Sequence, residues 1–260
     1  MTVDDLEATV EERALGRQAP QPLTLVLLLV LPPIVIEIYG VALKSFPQLP
    51  TLGAAPVTVG RMTGTLFSVA FLAGLVGLFQ VISARNGDER ATIAGFPRWE
   101  LLTTRLVTML VVAGAGAGVA FATLSYTVDV AAPVLAFGFL VLAALIYGLM
   151  GVIVGTLLPR ELEGSIVLVF MADIDNALSS GLFPVEASVT LPLVGEVGAT
   201  DFVPLYHPHE LFVSAVLEGD IASGHFPPAL GWAFGLLAIA FVAYGQTAGD
   251  GWFTASGGVV

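Results

Sequence analysis

The sequence predicts an all-α, polytopic membrane protein with six transmembrane helices. Hydrophobic residues make up 56% of the chain and charged residues 12%, with a mean hydropathy of +0.91. Soluble domains are typically about 45–50% apolar and about 25% charged, so a water-soluble fold could not bury this much apolar surface. The apolar residues also fall into runs of about 20, the length that crosses a hydrocarbon core of about 30 Å as a helix.

Six spans follow from these runs, at residues 23–43, 62–82, 105–127, 133–157, 165–183 and 229–247. Together they define a six-span transmembrane domain over 23–247, with an N-terminal segment at 1–22 and a short tail at 248–260. We expect no cleavable signal peptide, because the first run is long enough to span and has no clear small-residue cleavage site behind it. Between the fourth and fifth spans, residues 158–164 form a predicted loop, since Pro159 and three charges oppose burial there.

The distribution of Lys and Arg predicts the orientation. With the N-terminus inside, seven of these residues fall in cytoplasmic segments: Arg13, Arg17, Arg85, Arg90, Arg98, Arg105 and Arg160. Only Lys44 and Arg61 fall outside. Positive residues concentrate in the cytoplasmic loops of membrane proteins, so we expect both termini in the cytoplasm and the acidic segment 184–228 outside.

Charge and cysteine content exclude several functions. The net charge of −12 argues against a nucleic-acid partner, because phosphate binding needs a basic surface. The chain has no cysteine, which excludes disulfides, thiolate zinc sites and iron–sulfur clusters. Lys44 is the only lysine, and such an acidic, lysine-poor composition suits a salt-rich, haloarchaeal cytoplasm. That hypothesis predicts greater stability in high potassium chloride and fails if the protein prefers low salt.

The cytoplasmic stretch "SARNGDERATIAGFPRWELLTTRL" (83–106) contains four of the nine basic residues. We expect a charged continuation of the second span, a sharp turn at Gly95, and a second helix that starts near Pro97. Phe96 and Trp99 are aromatics of the kind that gather at interfaces. Two interpretations are open: a charged loop that only fixes topology, or a surface element that binds a partner.

The same stretch resembles the type-2 export-permease family, the membrane subunits of ATP-binding-cassette exporters. The matching residues are Glu89, Arg90, Ile93, Pro97, Glu100 and Leu101. Three further segments resemble that family in the same order along the chain, at 147–164, 176–186 and 202–219. The resemblance extends over residues 20–247 or so.

This resemblance implies a plasma-membrane protein with six spans, a cytoplasmic coupling helix after the second span, and a re-entrant or helical outer segment before the last. It implies that a separate ATPase subunit docks on Arg90, Gly95, Phe96, Pro97, Arg98, Trp99 and Glu100. It also implies a second permease copy or a sister permease. The ATPase would bind ATP and magnesium, since the sequence has no G-x-x-x-x-G-K-[ST] motif and we expect no cofactor in this chain.

Acidic residues inside the spans suggest a substrate path. Glu37 lies within the first span, and Asp173, Asp175 and Asn176 lie in the fifth. A charged side chain in the bilayer costs at least about 2.5 kcal/mol, so such residues usually face a protein interior or water. They either line a path between protomers or form hydrogen bonds with neighbouring helices. The two acids in the fifth span depart from the family pattern, so the substrate cannot be inferred by analogy.

Two other functions remain as alternatives: a secondary carrier or channel that uses Glu37 and Asp173, and a membrane scaffold that recruits a cytoplasmic partner. Intramembrane proteolysis is disfavoured, because all three histidines lie outside the spans and both aspartates share one span.

The outer motif "HPHE", with His207, His209 and Glu210, and the later His225 are the only metal-site candidates, and we expect no metal there. Two histidines separated by a proline pair poorly on a helix, so a surface helix that starts near Pro208 is the better interpretation.

Glycines spaced four apart predict close helix packing. Gly114 with Gly118 and Gly151 with Gly155 have this spacing, and small residues let helix backbones approach each other. The run "GAGAG" (114–118) is therefore a packing motif rather than a nucleotide-binding loop, since no strand precedes it.

Overall fold

The computed structural model describes residues 22–45, 54–158, 160–181, 188–191 and 195–247, and most of them are helical. The helices are α1 (Pro22–Lys44), α2 (Pro56–Ile93), α3 (Arg98–Thr127), α4 (Pro133–Leu157), α5 (Glu161–Ser179), α6 (Tyr206–Leu217) and α7 (Phe226–Thr247). A two-stranded antiparallel hairpin lies between α5 and α6, with β1 at Ser188–Leu191, β2 at Gly195–Gly198 and Ser188 opposite Gly198. The predicted terminal segments lie outside the described residues, up to residue 21 and from residue 248.

Four of the described helices are long and apolar enough to cross a membrane: Pro56–Arg85 of α2, all of α3, all of α4, and Phe226–Gly245 of α7. The prediction of a helical protein with membrane-spanning segments is confirmed at this level. Helices also form at the first and fifth predicted spans, as α1 and α5, and α5 is not among the four. Four acidic residues in the 19-residue α5 reduce its apolar character.

Prolines and acidic residues set several helix starts. Pro56 and Pro133 occupy the first turns of α2 and α4, where the missing N–H costs little. Glu161 and Glu163 lie in the first turn of α5, where negative charge complements the helix dipole. The predicted loop at 158–164 is therefore wrong in its second half, because α5 already begins at Glu161.

The centre of the bundle is the crossing of α2 and α4. Their most apolar windows are 61% and 67% buried, against 28% for α3 and 22% for α7. A methyl group at Gly151 would overlap the backbone carbonyl of Gly74, and one at Gly155 would lie 3.0 Å from the carbonyl oxygen of Leu78. The packing role predicted for Gly151 and Gly155 is confirmed.

The other predicted glycine pair makes no close contact with the described part of the chain. No heavy atom described there lies within 4 Å of a methyl group built at Gly114 or Gly118. A methyl group at Gly116, between them, would lie 3.6 Å from the side chain of Leu28 on α1. The spacing predicted the wrong face of α3, because four-residue spacing alone does not identify the neighbouring helix.

Helix α6 lies against the bundle at the end where α3 joins α4. The backbone N–H groups of Ala131 and Ala132 donate to the carbonyls of Val216 and Ala215, at 2.9 and 3.0 Å. His207, Pro208 and His209 are buried, so the predicted surface helix is wrong although the helix itself is present. Leu211 and Phe212 are fully buried and hold α6 against its neighbours. We call this end of the bundle the α6 end.

Candidate functional site

At the opposite end of the bundle, α2 runs eight residues past its membrane-length segment and turns directly into α3. We call residues 86–105 the α2–α3 hairpin. The turn begins at Ala94, and the N–H groups of Gly95 and Phe96 donate to the carbonyls of Thr92 and Ala91, both at 3.0 Å. This pattern satisfies the last carbonyls of a helix and needs a left-handed residue, which Gly95 supplies with φ of 95°.

The role predicted for Gly95 in the turn is confirmed, and Pro97 immediately precedes α3 in an extended conformation. No separate surface helix lies between α2 and α3, because the polar sequence keeps helical geometry on both sides of one short turn. The coupling role of this stretch stays a prediction.

Three large apolar side chains are exposed on this polar hairpin. Ile93 is 87% exposed, Trp99 60% and Phe96 57%. They lie within seven residues of one another around the turn, and the predicted docking residues Arg90 and Glu100 are exposed beside them. An exposed aromatic pair with charged neighbours is typical of a protein-binding surface, with apolar anchors inside a polar rim.

The predicted docking residue Arg98 instead binds within the chain. Its guanidinium donates a short hydrogen bond to the carbonyl oxygen of Gly245, near the end of α7. Arg85 acts in a similar way on α4, where it donates to the carbonyl of Gly155 at 3.0 Å. The arginines of this stretch therefore satisfy helix-end carbonyls as well as supplying positive charge.

Asp88 connects three helices at this end of the bundle. Its carboxylate pairs with the guanidinium of Arg105 on α3 at 2.8 Å and accepts a hydrogen bond from the phenol of Tyr244 on α7 at 2.6 Å. Asp88 is only 5% exposed, so little water competes with these contacts. Sequence reasoning missed this network. A signal was present, since the predicted topology puts residues 88, 105 and 244 at the same membrane face.

Asp175, a predicted path residue, is buried near the α6 end. It accepts hydrogen bonds from the Tyr147 hydroxyl on α4, from Ser179 Oγ at 3.1 Å and from the Leu205 backbone N–H at 3.1 Å. Only 6% of Asp175 is exposed. The carboxylate therefore ties α4 and α5 to the start of α6 within one protomer, and its place on a substrate path stays a prediction.

Asp173, two residues earlier, is exposed rather than buried. It is exposed on the same side of α5 as Ile166, Phe170 and Ile174, whose side chains are 49%, 65% and 59% exposed. Positions 166, 170, 173 and 174 share one helix face by their spacing. Asp173 is thus exposed and Asp175 is buried, although the sequence predicted the same role for both.

Glu37 and Asn176 also have partners within the chain. Glu37 of α1 pairs with Arg61 of α2 at 3.0 Å, with 45% of the Glu37 side chain exposed. Asn176 donates to the hydroxyl of Tyr39 on α1 at 3.4 Å. Both contacts join α1 to its neighbours, and a role in a path stays a prediction for these residues.

Two histidines of the α6 end, His207 and His225, form a pair. The Nδ1 atoms of His207 and His225 lie 3.1 Å apart, and Nε2 of His207 lies 3.9 Å from the Asp201 carboxylate. Burial lowers the pKa of His207, and the neighbouring His225 lowers it further, against the opposing charges of Asp201 and Glu210. Within the described part of the chain, no three His, Asp or Glu side chains converge as metal ligands do.

Comparison with protein-family models and with curated proteins found no match to this chain. The α2–α3 hairpin is therefore the candidate functional site on geometry alone. It combines exposed apolar anchors, a rigid turn and an internal polar network behind them.

Proposed function

We propose that the chain is the permease subunit of an ATP-binding-cassette exporter and that its α2–α3 hairpin docks on a separate ATPase subunit. The observation that carries the proposal is the exposed trio Ile93, Phe96 and Trp99, presented by a braced hairpin beyond the end of a membrane-length helix. The order of the motifs along the sequence supports the same function, and the count of Lys and Arg by segment supports a cytoplasmic hairpin.

A second copy of the chain, or a sister permease, completes the transporter in this proposal. The exposed face of α5 supports it, because α5 is the fifth span of the proposed six-span permease and Asp173 would otherwise place a carboxylate against lipid tails, at a cost of at least about 2.5 kcal/mol. Packing against another permease would give Asp173 a protein or water environment. The same contact would cover Phe170 and Ile174.

Substitution of the two aromatic anchors tests the docking function. Phe96→Ala combined with Trp99→Ala should leave a folded permease that no longer co-purifies with its ATPase, since each hot-spot residue contributes about 2 kcal/mol or more. Tyr126→Ala is the matched control: Tyr126 is 92% exposed and lies at the other end of the same helix as Trp99. If the double variant binds the ATPase as tightly as Tyr126→Ala does, docking at this hairpin is refuted.

Single cysteines in this cysteine-free chain test the sidedness. Gly87 on the hairpin and Gly224 before α7 are both exposed, and no heavy atom lies within 4 Å of a methyl group at either position. Gly87→Cys and Gly224→Cys should react with an impermeant maleimide from opposite sides of the membrane. Reaction from one side would contradict the proposed topology.

A further inference from the structure

The Asp88 network attaches the α2–α3 hairpin to α7. Asp88 lies on the first arm of the hairpin, Arg105 on the second, and Tyr244 near the end of α7. One carboxylate therefore braces both arms and binds a third helix. We call Asp88, Arg98, Arg105 and Tyr244 the hairpin tie.

Arg98 supplies the second attachment to α7. Its hydrogen bond to the Gly245 carbonyl is adjacent to the Tyr244 contact along the helix. Two contacts at consecutive residues fix the orientation of the helix end as well as its position. If the hairpin moves, this end of α7 should therefore move with it.

The other half of α7 contacts the α6 end of the bundle. The indole N–H of Trp232 lies 3.4 Å from the carbonyl oxygen of Asp201, just before α6. An open surface cavity of about 390 Å³ lies beside this contact, lined by Asp201, Phe202, Trp232, Gly235 and other residues of α7. Twelve residues separate Trp232 from Tyr244, about 18 Å of continuous helix at 1.5 Å per residue.

Between these attachments α7 packs lightly. Only 22% of its membrane-length window is buried, the lowest value among the four membrane-length helices. Between Trp232 and Tyr244 its buried face includes two alanines, Ala233 and Ala240, with Leu236 as the one large buried side chain between them. A continuous helix that is attached near both ends and has mostly small residues on its packed face is suited to move as one body.

We infer that α7 transmits movement of the docked hairpin to the α6 end of the bundle, with Asp88, Arg98, Arg105 and Tyr244 as positioning residues. This inference rests on the proposed function, because the ATPase supplies the movement. The effect at the α6 end is a change in the cavity between α7 and residues 201–202.

A cysteine reporter at the cavity tests the transmission. Gly231 lines the cavity, and no heavy atom lies within 4 Å of a methyl group there, so Gly231→Cys adds a thiol without a clash. In nanodiscs that contain the full chain and its ATPase, ATP should change the rate at which this thiol reacts with maleimide. Tyr244→Phe should abolish that change while the ATPase stays bound. Tyr126→Phe, at an exposed tyrosine far from the tie, should preserve it.

The inference would be overturned if the Tyr244→Phe protein kept the full ATP-dependent change in the maleimide reaction rate. It would also be overturned if the parent protein, with its ATPase bound, showed no such change.

If no ATPase binds the parent protein, the proposed function has failed. Hydrogen exchange of the chain alone then tests the hairpin tie. Tyr244→Phe and Arg98→Gln should each speed exchange at the end of α7 about tenfold or more. Unchanged exchange in both variants would overturn the tie itself.

Discussion

The phenol of Tyr244 donates a hydrogen bond of 2.6 Å to the carboxylate of Asp88, which lies 156 residues earlier in the chain. This contact joins the end of the last helix to the hairpin that follows the second predicted span. The same carboxylate pairs with Arg105, so loss of Asp88 would leave a partly buried guanidinium without its ion pair.

We therefore expect Asp88→Ala to destabilise the protein more than Tyr244→Phe. Tyr244→Phe removes one hydrogen bond to a buried carboxylate, worth about 1–3 kcal/mol, whereas Asp88→Ala removes two contacts. Thermal unfolding in detergent measures both effects. Asp129→Ala is the control, since Asp129 is exposed in the α3–α4 connection. Equal melting temperatures for Asp88→Ala and Asp129→Ala would contradict the proposed importance of this network.

The crossing of α2 and α4 gives a second prediction. Gly151→Ala should lower the free energy of unfolding by about 3 kcal/mol or more, because the methyl group would overlap the rigid backbone of Gly74. Gly118→Ala should be neutral or slightly stabilising, since the space around Gly118 is open and alanine favours helix by about 1 kcal/mol. Fluorescence-detected size exclusion after heating compares the two variants. An equal loss of monodisperse protein would mean that close packing at Gly151 is unimportant.

The two aspartates of α5 should differ in their effects. Asp175→Asn replaces a carboxylate that accepts three hydrogen bonds, so we expect a loss of about 2 kcal/mol of stability. Asp173→Asn, at an exposed position, should leave the stability of one protomer unchanged and should alter transport or dimer formation. Unfolding curves and the dimer fraction distinguish these outcomes. If Asp173→Asn alone caused a large loss of protomer stability, Asp173 rather than Asp175 would be the residue that stabilises the protomer.

Acid should loosen the α6 end of the protein. Burial and the adjacent His225 lower the pKa of His207 in the folded state, so the unfolded chain binds the proton more readily. The stabilising effect of neutral His207 is therefore complete above its ordinary pKa of about 6.5 and declines as the pH falls below that value. The charges that face the pair, Asp201 and Glu210, oppose this loss without reversing it.

Hydrogen exchange of residues 199–226 at about pH 7.5 and about pH 5.5 measures this effect. Exchange corrected for its intrinsic pH dependence should be faster at the lower pH. His207→Asn should remove most of the difference. A variant that keeps the full pH response would show that another group causes it.

Much of the fold was predictable because helix boundaries depend on local sequence. Prolines at the starts of α2 and α4 and a glycine turn at residue 95 act within a few residues of where they occur. The hairpin and its exposed aromatics were predictable for the same reason. The two short strands between α5 and α6 were not predicted, since β1 and β2 have only four residues each.

The network behind the hairpin was not predictable in detail. The contact of Asp88 with Tyr244 depends on the packing of helices far apart in sequence, and periodicity within one helix cannot report it. For the same reason the sequence did not predict that His209 is buried, with 4% exposure. The residues around it have the polar pattern of a surface helix. The structure leaves both ring nitrogens of His209 without a hydrogen-bond partner among the described residues.

Photo-crosslinking at Phe96 tests most directly the claim that the hairpin docks on an ATPase. A photoreactive phenylalanine analogue at this exposed position, activated in intact cells, should form an adduct with a protein that carries a phosphate-binding loop. The same analogue at Tyr126 should give no such adduct. An adduct at position 96 with lipid alone, or with a protein that lacks a nucleotide-binding site, would contradict the proposed function.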